Sequence, residues 1–118
     1  MERQSFAEAV AAFLAYASND YHVQWKGHNA SFEVVVEKAG RRYTRVIHQE
    51  RDANGKACHR GSHSFIVMED YLTPQGLSLK QGDVLKCASW KAPAMNFVRC
   101  NVFNQASFKG HVQWTGVS

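Results

Sequence analysis

Cys58, His59 and His63 fall within six residues, and Cys87 and Cys100 follow later in the chain. Thiolate and imidazole are zinc ligands, so four of these groups could in principle converge on one metal ion. The spacing argues otherwise. No C-x-x-C pair occurs, and the adjacent residues Cys58 and His59 can rarely both reach one ion. A free-thiol state without zinc is therefore expected, and the odd cysteine count also speaks against a disulfide framework. Nucleophilic catalysis would need Cys or Ser beside His with a third orienting group. Six His, three Cys and many Ser make such a pairing possible by chance, but no local motif supports it. The carboxylates are few and scattered. Gly40, Gly55, Gly61, Gly76 and Gly82 are isolated turn glycines rather than a phosphate-cradling loop. No catalytic residue, metal ligand or cofactor is assigned.

The better pattern is basic residues interleaved with aromatics. Arg41, Arg42 and Arg45 flank Tyr43, and Trp90-Lys91, Phe97-Val98-Arg99 and Phe108-Lys109 follow. Single-strand binders combine a cationic groove with aromatic stacking platforms. The charge map agrees. Residues 1–37, 38–60, 61–83 and 84–118 carry net charges of −3, +5, −2 and +4, and the last stretch holds no acid. Arg41, Arg42, Arg45, Lys86, Lys91, Arg99 and Lys109 are thus the candidate contacts for an anion, with Tyr43 and Trp90 as aromatic contacts. The plainer alternative is a solvated basic surface over aromatics that belong to the core. Alternation places Arg42 and Tyr43 on opposite faces of a regular strand, with Arg45 on the face of Tyr43.

Several elements must position these residues. Ser5-Phe6-Ala7-Glu8 reads as a capping box. Phe6, Val10, Phe13, Leu14 and Ala17 then share one helical face, and Ser18-Asn19-Asp20 marks the expected helix end. Tyr21 to Trp25 alternates as a strand. Residues 31–48 read as a β-hairpin around Ala39-Gly40, residues 50–62 as loop, and His63 to Met68 as strand. Residues 69–82 read as a connection and Asp83 to Ala88 as another strand. Pro93 opens an expected short helix over 93–100, and His111 to Trp114 is an expected last strand. His22-Val23-Gln24-Trp25-Lys26-Gly27 recurs as His111-Val112-Gln113-Trp114-Thr115-Gly116, which suggests two similar strands rather than a repeat architecture.

The length of 118 residues, 45% hydrophobic and 20% charged, matches one globular domain spanning 1–118. No apolar run approaches the ~20 residues of a membrane span, and Met1 to Gln4 lacks a secretory pattern. A cytoplasmic protein is expected.

Gly82-Asp83-Val84-Leu85-Lys86-Cys87-Ala88-Ser89-Trp90-Lys91-Ala92-Pro93-Ala94, with Asn101-Val102-Phe103 after it, resembles a segment of small uncharacterised proteins of tailed phages and phage-rich environmental sequence. The match covers roughly residues 63–104. Met95-Asn96-Phe97 departs from it where similar sequences are more basic, and residues 69–80 look like an insertion in a tight turn. The resemblance implies a viral or mobile-element origin and, by analogy, action by occupying a host molecule.

The sequence therefore leads to an α+β domain. An antiparallel sheet of about five strands carries an N-terminal amphipathic helix on one face, with a short second helix. Its first functional reading is a non-catalytic phage-type accessory protein that binds an anionic partner, nucleic acid before others. The alternative is a protein-binding inhibitor of a host defence system or host enzyme. A small hydrolase or metal-binding protein ranks third.

Overall fold

The computed structural model describes residues 5–24, 32–74, 76–90, 92–95 and 97–118. Helix α1 spans Phe6–Gln24. At its start the Glu8 amide donates to Ser5 Oγ at 3.1 Å, which satisfies one of the N–H groups that a helix leaves open. Ala9, Phe13, Ala17 and Tyr21, four apart, form its buried line, flanked by Phe6, Val10 and Leu14. The small Ala9 and Ala17 let the helix approach the sheet closely.

The helix does not stop at residues 18–20. Ser18 is half-buried, and its Oγ accepts the amide of Val34 at 2.9 Å. The side chain of Gln24 donates to Asp20 at 2.9 Å, one turn back. Tyr21 stacks on Phe32 at 3.9 Å between ring centroids. The bond of Ser18 to Val34 and the stacking of Tyr21 on Phe32, with the Gln24 bond inside the helix, outweigh the turn preference of Ser-Asn-Asp, so Tyr21 to Gln24 are helical rather than strand. Trp25 lies outside the described residues.

Strands β1 (Glu33–Ala39) and β2 (Tyr43–Arg51) form the expected hairpin. Strand β3 runs Ala57–Val67, so the loop expected over 50–62 contracts to the turn at 52–56. There Asp52 Oδ1 accepts the amides of Asn54 and Lys56, an Asx-type turn. Gly61 is a strand residue rather than a turn residue. It pairs with His48, and any Cβ at Gly61 would overlap the His48 ring. Short strands follow: β4 (Tyr71–Leu72), β5 (Ser78–Leu79), β6 (Asp83–Leu85), β7 (Cys100–Asn101), β8 (Val112–Gln113) and β9 (Gly116–Val117).

The main sheet has five antiparallel strands in the order β1-β2-β3-β6-β7. The helix packs on one face, where Val34, Val46, Ile66, Val84 and Cys100 meet Phe13 and its neighbours. Phe65, Val67 and Leu85 point to the other face. The β4–β5 hairpin and the described residues of 86–90, 92–95 and 97–99 cover them with Tyr71, Leu79, Met95 and Val98. The molecule thus has one five-stranded layer between a helical layer and an irregular one.

The helix expected over 93–100 does not form. The Ala94 amide donates to the Lys86 carbonyl at 2.7 Å and the Arg99 amide to Val84 at 2.9 Å. These bonds tie the backbone of the segment to β6 and the residue after it, and Cys100 joins the sheet. The only other helical turn among the described residues is a 3-10 turn at Gln105–Ser107. The described part of the echoed segment also adopts two conformations. His22 to Gln24 end the helix, whereas Val112-Gln113 pair with Gly116-Val117 in a hairpin. Asp20 ties the two sites together by accepting the Trp114 amide at 3.0 Å.

Candidate functional site

The structure divides the basic residues between layers. Arg41 and Arg42 are exposed at the bend between β1 and β2. Because Arg42 precedes β2, strand alternation does not govern it, and its guanidinium lies 4.1 Å from the centre of the Tyr71 ring. Arg45, within β2, shares the covered face with Tyr43 and lies 5.2 Å from the Trp90 ring. Arg99 lies 3.7 Å from the Phe97 ring. These three arginine–aromatic pairs all belong to the irregular layer or the sheet face beneath it. Lys86 is exposed at the start of the same layer. Lys109 is exposed too, but it follows Phe108, which packs against Phe13 and Tyr16 of the helix. It therefore stands apart from the others. Lys91 lies outside the described residues.

Acids temper part of this charge. Glu37 pairs with Arg45 at 3.1 Å and with Arg60 at 3.6 Å, and Glu33 pairs with Arg51 at 3.2 Å. The Arg45 Nε is buried and finds no hydrogen-bond partner among the described residues, an uncommon condition for a buried donor. Arg41, Arg42 and Lys86 have no acidic partner among the described residues.

The two named aromatics differ. Tyr43 is held in the packing, edge-on to Phe65, with its hydroxyl toward Met95 Sδ at 3.9 Å. Burial raises its phenol pKa above 10.0, with Tyr71 adding to the shift and Arg42 opposing it. Trp90 is 39% exposed, with Phe97 at 53% and Leu72 at 67% on the same layer. Trp90 follows a strand, but no helix follows it.

The Cys and His side chains take separate places. Cys100 is buried on the helix face of the sheet, where burial, with Asp83 adding to it, pushes its thiol up to about 12. Cys87 is half-buried on the opposite face, and burial raises its thiol pKa, against the pull of a Ser62 hydrogen bond and the Arg45 charge. Cys58 is half-buried across from Glu50. All three thiols are unpaired. Among the described residues no three His, Cys, Asp or Glu side chains converge as metal ligands. The His59 side chain lies outside the described ones.

His63 and Ser64 do form a Ser–His contact, Ser64 Oγ to His63 Nδ1 at 2.9 Å, while His63 Nε2 bonds the Gln113 carbonyl at 2.7 Å. The carbonyl accepts, so Nε2 carries the proton and Nδ1 accepts from the Ser64 hydroxyl. Ser64 is fully buried, so no substrate reaches its hydroxyl. The pair anchors the β8–β9 hairpin to β3. Burial drives the His63 pKa down to about 4, partly offset by the Gln113 bond.

Beside this anchor opens a cleft of about 370 Å³, lined among others by Ser62, Lys86, Cys87, Gln113, Thr115 and Gly116. No sequence pattern marked it, because its walls come from β3, the residues after β6 and the last hairpin. Tyr71 was likewise not legible as an arginine partner, since its hairpin reads as a plain connection.

A family model described as a family of unknown function, DUF7717, matches residues 3–118, and the chain belongs to that family. The match reaches well beyond residues 63–104. No curated protein and no solved structure matches the chain.

Proposed function

We propose that this chain, as a member of that family, is a non-catalytic accessory protein that binds an anionic partner, nucleic acid before others. The observation that carries the reading is the set of arginine–aromatic pairs on one layer: Arg42 with Tyr71, Arg45 with Trp90 and Arg99 with Phe97. A guanidinium stacked on an aromatic ring is held in place, and at Arg42, which has no acidic partner among the described residues, its edge can donate to phosphate. A half-exposed indole beside it offers a face to an unstacked base. The phage-type origin and host cytoplasm suggested by residues 63–104 belong to the same proposal. The test is titration of single-stranded and duplex oligonucleotides at low salt, read by Trp fluorescence and by the anisotropy of a labelled strand. Binding that favours the single strand is expected. No binding at low salt would end this reading.

A second reading, an inhibitor that occupies a host protein, draws on the exposure of Leu72, Phe97 and Trp90 in that layer. Aromatic and Arg anchors dominate protein interfaces. It predicts affinity that falls sharply with Trp90→Ala and hardly changes with salt.

A further inference from the structure

We propose that Glu37, acting through Arg45, is a positioning residue for the Trp90 ring, so that an acid raises the affinity of the irregular layer for an anionic strand. This role rests on the single-strand reading of that layer, and no charge or aromatic pattern in the sequence selects Glu37. The register of β1 against β2 shifts between Val36, opposite Val46, and Lys38, opposite Arg45. Glu37 is the extra residue of this bulge, and bulges re-aim side chains next to functional sites. Its two carboxylate oxygens go to different arginines, Oε2 to Arg45 Nη1 at 3.1 Å and Oε1 to Arg60 Nη2 at 3.6 Å. The Glu37 and Arg45 side chains are only 21% and 18% exposed, so solvent and salt screen this pair less than a surface pair.

Arg45 is poorly placed to meet a phosphate itself. Its Nη1 is given to Glu37, and its Nε is buried. Its guanidinium instead lies over the indole of Trp90, 5.2 Å from the ring centre and within cation–π range. The backbone around Trp90 is already set. Cys87 bridges Pro93, and the Ala88 and Ser89 amides both donate to the Ala92 carbonyl, at 3.0 and 3.1 Å. This closes a loop with Trp90 at its tip, where the side chain is half-exposed. What remains to be fixed there is the orientation of the ring, and Arg45 is the charged group against its face. A ring held in one orientation loses less entropy when a base stacks on it than a ring free to turn. Without the Glu37 carboxylate, Arg45 is released toward solvent and the indole loses its support.

Charge alone predicts the opposite sign. Glu37→Gln raises the net charge of +4 by one, so a diffuse cationic surface would bind an anionic strand more tightly. The positioning role predicts that Glu37→Gln weakens single-strand binding by about threefold, a fraction of a full base stack. Glu33→Gln removes the same charge from the same strand, but Glu33 pairs with Arg51, so this variant should not weaken binding. Arg45→Lys keeps the charge but loses the planar fork, and it should weaken binding as Glu37→Gln does. Affinity is read in the full chain by the anisotropy of a labelled single strand at low salt. The free protein gives a second readout, fluorine NMR of the chain labelled with fluorotryptophan, in which the Trp90 resonance is the one lost in Trp90→Phe. That resonance should shift and sharpen in Glu37→Gln and Arg45→Lys and stay in place in Glu33→Gln. No strand binding by the unsubstituted chain ends the single-strand reading, and the fluorine spectra then decide by themselves whether Glu37 supports the ring. Tighter binding by Glu37→Gln, equal weakening by Glu33→Gln, or a Trp90 resonance that Glu37→Gln leaves unmoved would each overturn the proposal.

Discussion

His63 illustrates how far a residue's chemistry depends on where the chain places it. Imidazole ordinarily titrates near 6.5, but burial, with Phe13 against the ring, leaves His63 neutral down to about 4 despite the opposing pull of the Gln113 bond. The folded pKa lies below the unfolded one. Its contribution to stability is therefore complete above about pH 6.5 and is lost as pH falls toward about 4, amounting to on the order of 3 kcal/mol over that window. Two measurements check this: the urea midpoint should decline between those pH values, and the NMR titration of the ring should show no midpoint above about 5. A ring that titrates near 6 would refute it. Gly61 makes a second point at this scale. Its missing Cβ leaves room for the His48 ring, which stacks on Phe32 at 5.8 Å. Gly61→Ala should cost about 1–3 kcal/mol by overpacking, seen as a lower denaturant midpoint. The sequence reads Gly61 as a turn residue because glycine marks turns and close approaches alike, and only the partner strand tells them apart.

Among the elements, those governed by local rules were legible. The capping pattern at Ser5 places the helix start, and Ser5→Ala should lower stability by about 1 kcal/mol, measured by denaturant unfolding. An unchanged midpoint would show that the Glu8 amide finds an equal partner in water. The β1–β2 hairpin also follows from its alternation. The elements that sequence misplaces depend on remote partners. The helix passes Ser18-Asn19-Asp20 because Val34 and Trp114 engage Ser18 and Asp20. The segment after Pro93 stays extended because Ala94 and Arg99 donate to Lys86 and Val84. The echoed His-Val-Gln shows the same limit, ending a helix at His22 to Gln24 and leading into a hairpin at His111 to Gln113. Local propensity is a weak prior that tertiary context overrides. The candidate site suffers most from this, since the arginine partner Tyr71 and most of the cleft walls come from stretches with no periodic signal.

Over the whole molecule, the basic residues that sequence grouped together are sorted by layer and by partner. Arg42 has no acidic partner among the described residues, and Arg45 is tied to Glu37. Lys109 sits beyond Phe108 on the helix side. Their charges are equal in the sequence but should not be equal in binding. Counterion release makes log K fall linearly with log salt, with a slope set by the number of phosphates neutralised. Arg42→Gln should reduce that slope by about one unit, because it removes a stacked guanidinium that faces no competing carboxylate. Arg45→Gln should reduce it less, since Glu37 already screens that charge. Lys109→Gln should leave it unchanged if the ligand runs along the irregular layer. Trp90→Ala should instead weaken single-strand binding at every salt concentration, by about 1–3 kcal/mol if a base stacks there. The measurement is oligonucleotide anisotropy across a salt series for the four variants. A slope that responds equally to Arg42 and Lys109 would mean that the net charge of +4 acts diffusely, with no oriented face. A slope that responds most to Arg42, less to Arg45 and not to Lys109 would place the strand along the layer where the arginines meet the aromatics.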